Sequence, residues 1–274
     1  MLVYYLGVDK INNPNIYLER MSKPLQEKLK VAKYISKNVK SILDVGCADG
    51  VITLALADMY PDINFVGIDL DQGFVDIANQ KVENRQNVRF ECVYLRDKLA
   101  DEERFDVVLF CSVLHEFFSY GEGISTVVKA LSDARELLNP GGEIVIRDML
   151  LYEYAGKSQL WLPEILTKLR NKEGMVPMID EFERFFGKIV SIKQVNHFLL
   201  KYMYADNWQR EVKENYVPVC FEQYDKIFEL LGMEVSFQRS STIPFLKDKW
   251  RVDFGFTDDE LESFRSTGFI VAKK

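Results

Sequence analysis

The sequence predicts an α/β fold: a doubly wound, mostly parallel sheet of seven strands with a mostly helical lid inserted into it. Two observations lead to this prediction. Apolar, strand-like runs alternate with helix-like stretches of about ten or more residues through the first half of the chain, which is typical of a parallel sheet with helices on both faces. The alternation stops after Asp148 and resumes near residue 218, so the residues between are predicted to be an insertion.

Length and composition fit one large globular domain with an appendage. The chain has 274 residues, of which 47% are hydrophobic and 28% charged, and this excludes a disordered, collagen-like or coiled-coil protein. The formal net charge is −7, and an acidic surface disfavours nonspecific coating of nucleic acid. No apolar run approaches the roughly 20 residues that span a bilayer, so we expect a soluble, cytoplasmic protein with no membrane partner. The four cysteines and two histidines are too scattered for a structural metal site, and no metal is expected.

The predicted elements follow one another in the order that such a sheet requires. The predicted strands are Ser41–Val45, Phe65–Asp69, Val88–Tyr94, Phe105–Cys111, Glu143–Asp148, Glu234–Arg239 and Gly268–Ala272. The predicted helices cover residues 20–38, 51–59, 72–82, 123–138 and 221–231. The first helix is amphipathic because Leu25, Leu29 and Ala32 recur at helical spacing. Asn139 to Gly142 is predicted to be a turn before the fifth strand.

We predict two parts. Residues 1–150 and 218–274 form a ligand-binding core, and residues 151–217 form a mostly helical lid over the substrate. The lid carries 10 basic and 9 acidic side chains and 11 of the 35 aromatic residues, so it is near neutral and slightly enriched in aromatics. Such a cover can enclose a small apolar or aromatic compound and exclude water. Residues 241–267 are predicted to be a second, smaller excursion.

The strongest functional signal is the loop LDVGCADG, residues 43–50, between the first strand and the next helix. Its glycines allow a tight turn and a close approach of the backbone to a ligand, and the helix N-terminus offers unpaired N–H groups. Open α/β sheets bind ligands at such strand ends. By itself the loop suits a dinucleotide, a phosphate or another adenosine ligand, and the alternative is a plain strand–helix turn.

Asp69 is the second functional signal, because it ends the next strand, 25 residues after Asp44. A carboxylate at that position can accept hydrogen bonds from both hydroxyls of a ribose. The alternative is a surface aspartate or one that caps the following helix.

Four segments, in this order, resemble the class I S-adenosylmethionine-dependent methyltransferases: ILDVGCADG, FVGIDLD, FDVVLFCSVLHEF and LLNPGGEIVIRD. The resemblance covers about residues 1–150 and 218–274 and implies the Rossmann-like methyltransferase fold. An NAD-linked enzyme is disfavoured, because Gly46-x-Ala48-x-Gly50 departs from the pattern G-x-G-x-x-G. The resemblance implies S-adenosyl-L-methionine as the cofactor and S-adenosyl-L-homocysteine as the product.

The resemblance also implies cofactor contacts for a set of residues: Asp44, Gly46, Cys47, Gly50, Asp69, Leu70, Tyr94, Leu95 and Cys111. The loop would cradle the methionine part, with Asp44 near its ammonium and the Cys111 backbone at the same end. Asp69 would hold the ribose, and Leu70 would lie on an adenine face.

One corner of the implied cofactor site departs from the family pattern. Tyr94 stands where the family often has an acidic residue near the adenine amino group. That contact would therefore fall to the amide of Leu95 or to Asp97.

His115 and Glu116 follow the fourth strand on the ligand-facing edge and are the candidate catalytic residues. Methyl transfer from a sulfonium mainly requires alignment and exclusion of water, and a base is needed only where the nucleophile keeps its proton. Histidine is suited to take that proton near neutral pH. Glu116 would orient His115, contact the substrate or cap a helix, and the alternative for His115 is local packing at a helix start.

Five further residues are candidates for contacting the acceptor: Tyr120, Arg147, Asp148, His197 and Tyr204. Arg147 suits an anionic group, and a structural ion pair is its alternative. His197 and Tyr204 lie in the insertion, where core packing is the alternative for both.

The sequence therefore predicts an S-adenosyl-L-methionine-dependent methyltransferase that acts on O, N or C of a small organic molecule. One alternative is an RNA or protein methyltransferase. Another is a regulator that binds S-adenosyl-L-methionine without catalysis. The identity of the acceptor and the oligomeric state stay open at this point.

Overall fold

The computed structural model describes residues 25–152 and 158–274. The strands of its seven-stranded sheet are β1 (Ser41–Val45), β2 (Asn64–Asp69), β3 (Val88–Cys92), β4 (Phe105–Cys111), β5 (Leu138–Asp148), β6 (Glu234–Ser241) and β7 (Thr267–Lys273). Their order in the sheet is β3-β2-β1-β4-β5-β7-β6. Strand β7 is antiparallel to β5 and β6, and the other neighbours pair in parallel. The predicted doubly wound, mostly parallel fold is confirmed.

Helices connect the strands and cover both faces of the sheet. In the core they are Leu25–Lys28, Val51–Met59, Gln72–Gln80, Leu114–Tyr120, Ile124–Leu137 and Phe221–Leu230. Between β5 and residue 218 they are Leu162–Asn171, Met175–Phe186, Ile192–Leu199 and Trp208–Glu211, and between β6 and β7 they are Pro244–Phe254 and Asp258–Leu261. Short 3-10 helices cover Leu29–Tyr34, Asp97–Ala100, Ser158–Trp161 and Ala205–Asn207. Within the described ranges, no helix has the length and apolar character needed to cross a membrane.

The central strands are apolar on both faces, because each face packs against helices. Neighbouring side chains of a strand point to opposite faces. In β1, Ile42 packs in the cluster that contains Leu56, and Leu43 packs in the cluster that contains Val127. The sheet is therefore covered by helix Val51–Met59 on one face and by helix Ile124–Leu137 on the other.

The insertion packs around an apolar core that lies apart from the faces of the sheet. Phe182 and Phe198 of the insertion pack in one cluster with Trp250 and Phe254 from the excursion between β6 and β7. The two excursions from the sheet thus share one core, separate from the two clusters on the sheet faces. The division into a core of residues 1–150 and 218–274 and a lid of residues 151–217 stays a prediction.

Two predicted elements differ from those observed. Of the predicted helix 20–38, residues 20–24 lie outside the described residues, and the rest is one α-helical turn followed by a 3-10 helix that ends at Tyr34. The predicted turn at Asn139 to Gly142 is wrong, because β5 begins at Leu138. Leu138 pairs with Phe105, and the register then shifts before Val107. The positive φ of 76° at Gly141 lets the chain pass through this irregularity.

Candidate functional site

A cavity of about 370 Å³ opens at the carboxyl ends of β1, β2 and β4. It lies at the point between β1 and β4 where the strand order reverses, and open α/β sheets bind ligands there. Its volume suits one small-molecule ligand. Seven of the nine predicted cofactor residues are in its wall: Gly46, Cys47, Asp69, Leu70, Tyr94, Leu95 and Cys111. The other two, Asp44 and Gly50, lie outside the cavity lining.

The loop after β1 is shaped by glycines that no other residue replaces without strain. Gly46 and Gly50 both have φ of 73°. A Cβ at Gly46 would lie 2.4 Å from Cγ2 of Val113, and one at Gly50 would lie 2.5 Å from Cζ of Phe90. The loop therefore packs directly against the segment after β4 and against β3, and its backbone forms part of the cavity wall.

Asp44 lies behind this loop and is buried. Its Oδ2 accepts a hydrogen bond from the Thr53 hydroxyl at 2.6 Å. Its Oδ1 is buried and receives no hydrogen bond from the residues that the structure describes. Burial raises the pKa of Asp44 to about 7, although the Thr53 hydrogen bond opposes this. A buried carboxylate oxygen without a donor is what a ligand with a cationic group would stabilise.

Asp69 is held rigidly at the cavity wall. Its Oδ2 accepts from the Ala48 amide at 2.8 Å, and its Oδ1 accepts from the Asp71 amide at 3.0 Å. Burial raises the pKa of Asp69 above its ordinary value despite these hydrogen bonds. The helix that follows β2 is capped by Asp71, whose side chain accepts from the amides of Gly73 and Phe74. Helix capping is therefore not the role of Asp69.

The other end of the cavity is lined by Leu70, Tyr94 and Leu95. Of the two residues predicted as alternatives for the adenine contact, Leu95 is in the cavity wall, whereas Asp97 lies outside the lining. The sequence prediction missed an ion pair at this end, formed by Arg96 and Asp133 at 2.6 Å. Asp133 comes from helix Ile124–Leu137 and supplies a carboxylate to the wall.

Lys28 is a second wall residue that the prediction missed. It is 5% exposed and lies in the cavity wall near the loop after β1. Burial lowers the pKa of Lys28 below its ordinary value. A signal for it was present, since Lys28 lies three residues after Leu25 and four before Ala32, on the apolar face of the predicted helix.

His115 is buried beside the cavity and outside its lining. Its Nδ1 lies 2.9 Å from Oδ1 of Asp148, and its ring edge packs on Tyr216. Burial alone would lower the pKa of His115, but the surrounding carboxylates, above all Asp148, raise it to about 9. The imidazole is therefore protonated at neutral pH, which argues against its acting as a base there.

Glu116 does line the cavity, and the insertion approaches it from the opposite side. Arg210, also in the wall, places a guanidinium nitrogen 3.6 Å from Glu116 and 3.0 Å from Glu214. Tyr120 donates a hydrogen bond to Glu214 and accepts one from Nε of Arg210 at 3.2 Å. Burial, with the nearby Glu214 carboxylate, raises the pKa of Glu116 to about 7.

His115, Glu116 and Glu214 place potential metal-ligand atoms within 4.8 Å of one another. The Arg210 guanidinium already lies against both glutamates. The positive charge of Arg210 therefore balances part of the negative charge of the two glutamates.

The remaining predicted acceptor residues lie away from the cavity lining. Arg147 donates a hydrogen bond to the Ser112 hydroxyl. Nε2 of His197 accepts from the Tyr216 amide at 3.1 Å, and its ring lies 4.5 Å from that of Phe186. Burial lowers the pKa of His197 well below its ordinary value, as for a packed neutral histidine. The ring of Tyr204 lies 6.4 Å from that of Tyr216. Contact of these residues with the acceptor stays a prediction.

A protein family described as a methyltransferase domain matches residues 43–144. This segment of the chain is therefore similar to a methyltransferase domain. The matched residues run from within β1 to β5 and include Asp69 and Glu116. The predicted resemblance to class I methyltransferases is confirmed.

Curated relatives and solved structures agree with this domain. The ubiquinone biosynthesis O-methyltransferase of Coxiella burnetii is 26% identical over 117 residues, which are 41% of this chain and 46% of that protein. The chain thus spans about half the length of the curated relatives that it matches first.

Two solved structures share the fold of the methyltransferase domain. An O-methyltransferase family protein from Burkholderia thailandensis has a TM-score of 0.56 at 13% identity, covering 95% of this chain and 59% of that one. The plantazolicin methyltransferase BpumL, solved with a desmethylPZN analogue and SAH, has a TM-score of 0.52 at 13% identity, covering 95% of this chain and 89% of that one. At this level of identity the likeness shows the fold.

Proposed function

We propose that this chain is an S-adenosyl-L-methionine-dependent methyltransferase that acts on a small organic molecule. The observation that carries the proposal is the wall of the cavity at the β1–β4 switch point. It combines the rigidly held carboxylate of Asp69 with a buried lysine, Lys28. A ligand with a ribose and an amino-acid end matches these two groups.

The residues present fit the cofactor at both ends. Lys28 would bind the carboxylate of the methionine part, and the carboxylate of Asp44, buried behind the loop, would stabilise the ammonium through its charge. Asp69 would accept hydrogen bonds from the ribose hydroxyls, since its carboxylate is already fixed by backbone amides. Leu70 and Tyr94 offer apolar surface to the adenine.

The names of the relatives support the same cofactor and acceptor class. BpumL is named as the plantazolicin methyltransferase and was solved with SAH and a desmethylPZN analogue. The Coxiella burnetii relative is named as an O-methyltransferase of ubiquinone biosynthesis. Both favour a small organic acceptor for this chain.

When bound, the cofactor supplies a methyl group that a sulfonium makes electrophilic. The part of the protein is to hold the acceptor in line with that methyl and to exclude water. Val113, Glu116 and Phe117 line the cavity next to Cys111, on the side proposed for the methionine part. Residues 151–217 act as a lid in this proposal, and Arg210 is their contribution to the wall.

We place the reaction in the reducing cytoplasm. All four cysteines are free thiols, and disulfides are rare in that compartment.

Asp69→Asn tests the cofactor site directly. Asparagine keeps the size but loses the charged acceptor, and a hydrogen bond to a charged group contributes about 1.5–3 kcal/mol. We expect the affinity for S-adenosyl-L-homocysteine to fall by roughly 10- to 150-fold in calorimetric titration. Asp62→Asn, on an exposed turn, is the matched control and should bind like the wild type. Unchanged binding by Asp69→Asn, or the absence of binding by the wild type, would contradict the proposed function.

The class of the acceptor can be separated by fractionating a cell extract by size. We expect formation of S-adenosyl-L-homocysteine with the small-molecule fraction, because a cavity of about 370 Å³ suits small molecules. Turnover only with the macromolecular fraction would favour an RNA or protein acceptor. Binding of S-adenosyl-L-methionine with no turnover in any fraction would favour a regulator.

A further inference from the structure

Four charged or polar side chains from two parts of the chain meet at the acceptor side of the cavity. Glu116 and Tyr120 come from helix Leu114–Tyr120, which follows β4. Arg210 comes from helix Trp208–Glu211 of the insertion, and Glu214 from the turn after it. Their side chains are mostly buried, with exposed fractions of 20% for Glu116, 9% for Arg210 and 3% for Glu214.

We propose that Glu116 and Glu214 form a carboxyl pair that takes the proton of a weakly acidic hydroxyl, phenolic or enolic, on the acceptor. This proposal rests on the proposed methyl transfer and adds the class of acceptor and a residue of the insertion. Glu116 is the member that faces the cavity, and Glu214 is the positioning residue behind it.

The two carboxyl groups differ in how far their hydrogen-bonding capacity is used. Glu214 accepts the hydrogen bond of Tyr120 and pairs with Arg210 at 3.0 Å. Glu116 reaches the same guanidinium only at 3.6 Å, and its side chain accepts no hydrogen bond from the residues described between 25 and 274. A carboxylate in the wall with acceptor capacity to spare is placed to receive a proton from a bound ligand.

The charges around Glu116 set the pH at which it can accept that proton. From its own helix it faces His115, from the insertion Arg210 and Glu214, and from the end of β2 Asp69. Burial and Glu214 raise its pKa to about 7, against the opposing pull of the two cations. It is therefore a base of suitable strength near neutral pH.

Two cations lie close to the place where the acceptor oxygen would stand. Arg210 lies in the wall, and His115 behind it is protonated because its pKa is about 9. Both would stabilise negative charge that develops on a hydroxyl oxygen as its proton leaves.

The proposed step balances without another reactant. The acceptor O–H bond breaks, and its proton goes to a carboxylate oxygen of Glu116. The oxygen lone pair forms the new O–C bond to the methyl group as the S–C bond breaks, and the electron pair of that bond stays on sulfur. Glu116 later returns the proton to solvent.

The insertion holds Glu214 in place through a buried lysine. Nζ of Lys201 donates to the backbone carbonyls of Glu211, at 2.8 Å, and of Glu214. Its ammonium also lies 4.4 Å from the ring centroid of Phe186. The turn that carries Glu214 is thereby fixed to the core of the insertion.

Binding of 4-methylphenol to the protein saturated with S-adenosyl-L-homocysteine tests the proposal. With a chelator present throughout, calorimetric titrations from about pH 5.5 to 8.5 should show affinity that rises about tenfold or more, with a midpoint near the pKa of Glu116, about 7.

Glu116→Gln should abolish the pH dependence. Glu214→Gln should move its midpoint down by about one pH unit, because a neighbouring negative charge is lost. Glu229→Gln, on the exposed side of helix Phe221–Leu230, should behave like the wild type.

Several results would overturn the carboxyl pair. They are a pH dependence that survives Glu116→Gln, a midpoint that Glu214→Gln leaves in place, no binding of 4-methylphenol, or binding that appears only when Mn²⁺ replaces the chelator. Should Glu214→Gln fail to fold, carbon-13 NMR of labelled glutamate carboxyls in the wild type and Glu116→Gln replaces it. A carboxyl that titrates near pH 7 must then be present in the wild type and absent from Glu116→Gln. Failure of the wild type to bind S-adenosyl-L-homocysteine would instead contradict the proposed function.

Discussion

Gly46→Ala is expected to destabilise the protein by about 2–5 kcal/mol and to weaken binding of S-adenosyl-L-homocysteine at least tenfold. A non-glycine residue at its φ of 73° costs roughly 1–2 kcal/mol. The new Cβ would also lie 2.4 Å from Cγ2 of Val113, and overpacking costs about 1–3 kcal/mol more. Val113 is β-branched and stiff, so relief requires movement of the backbone that forms the cavity wall.

Gly141→Ala is the control that separates backbone strain from the steric overlap between residue 46 and Val113. Gly141 has a similar φ of 76°, but a Cβ there would meet no atom within 4 Å. We expect it to lose only the roughly 1–2 kcal/mol of strain and to bind S-adenosyl-L-homocysteine like the wild type. Urea denaturation and calorimetry of both variants measure the two effects. Equal losses in the two variants would mean that close packing at Gly46 does not shape the site.

Lys28→Met is expected to give the largest loss of affinity for S-adenosyl-L-homocysteine. Removing one partner of a desolvated charge pair costs about 2–5 kcal/mol, which is roughly 30- to 4,000-fold in affinity. The side chain is 5% exposed, so solvent screens the pair little. The unliganded variant should be as stable as the wild type or more stable, because a buried cation is replaced by an apolar chain of similar length.

Two controls make the Lys28 result specific. Lys33→Met lies in the same segment but is exposed, and should leave binding unchanged. Methylthioadenosine lacks the amino-acid end of the cofactor and should bind wild type and Lys28→Met equally. An equal loss for both ligands would show that Lys28 does not recognise the carboxylate.

The parts of the fold that the sequence predicted well are those fixed by local patterns. Strands β1 and β4 are mostly apolar segments, and helix Val51–Met59 starts directly after the glycine loop, so their observed bounds match the predicted ones. The start of β5 was missed because Asn139-Pro140-Gly141-Gly142 has the composition of a turn. The pairing of Leu138 with Phe105 outweighs that local preference.

The site shows the same division between local and long-range information. Asp69 and the loop after β1 belong to short motifs and were predicted from them. Arg210 and Glu214 reach Glu116 only through the packing of the insertion, about a hundred residues away along the chain. Their spacing of four residues on a short helical segment was visible, but it is equally common in exposed ion pairs.

Several aromatic residues of the insertion pack in its apolar core, which is the alternative that the sequence offered to contact with the acceptor. Phe182, Phe198 and Tyr202 pack with Trp250 in the core shared by the two excursions. The side chain that this segment contributes to the cavity lining, within the described residues, is the charged Arg210. Acceptor selection in this proposal therefore depends on charge beside the reacting atoms.

A crystal structure of the complex with S-adenosyl-L-homocysteine tests the central claim most directly. The ligand is expected in the cavity at the ends of β1, β2 and β4, with its carboxylate within hydrogen-bond distance of Nζ of Lys28 and its ribose hydroxyls on Asp69. The sulfur should face the side of the cavity where Glu116 and Arg210 meet. A ligand bound outside this cavity, or one whose ribose lies on the Lys28 side and whose carboxylate lies near Asp69, would contradict it.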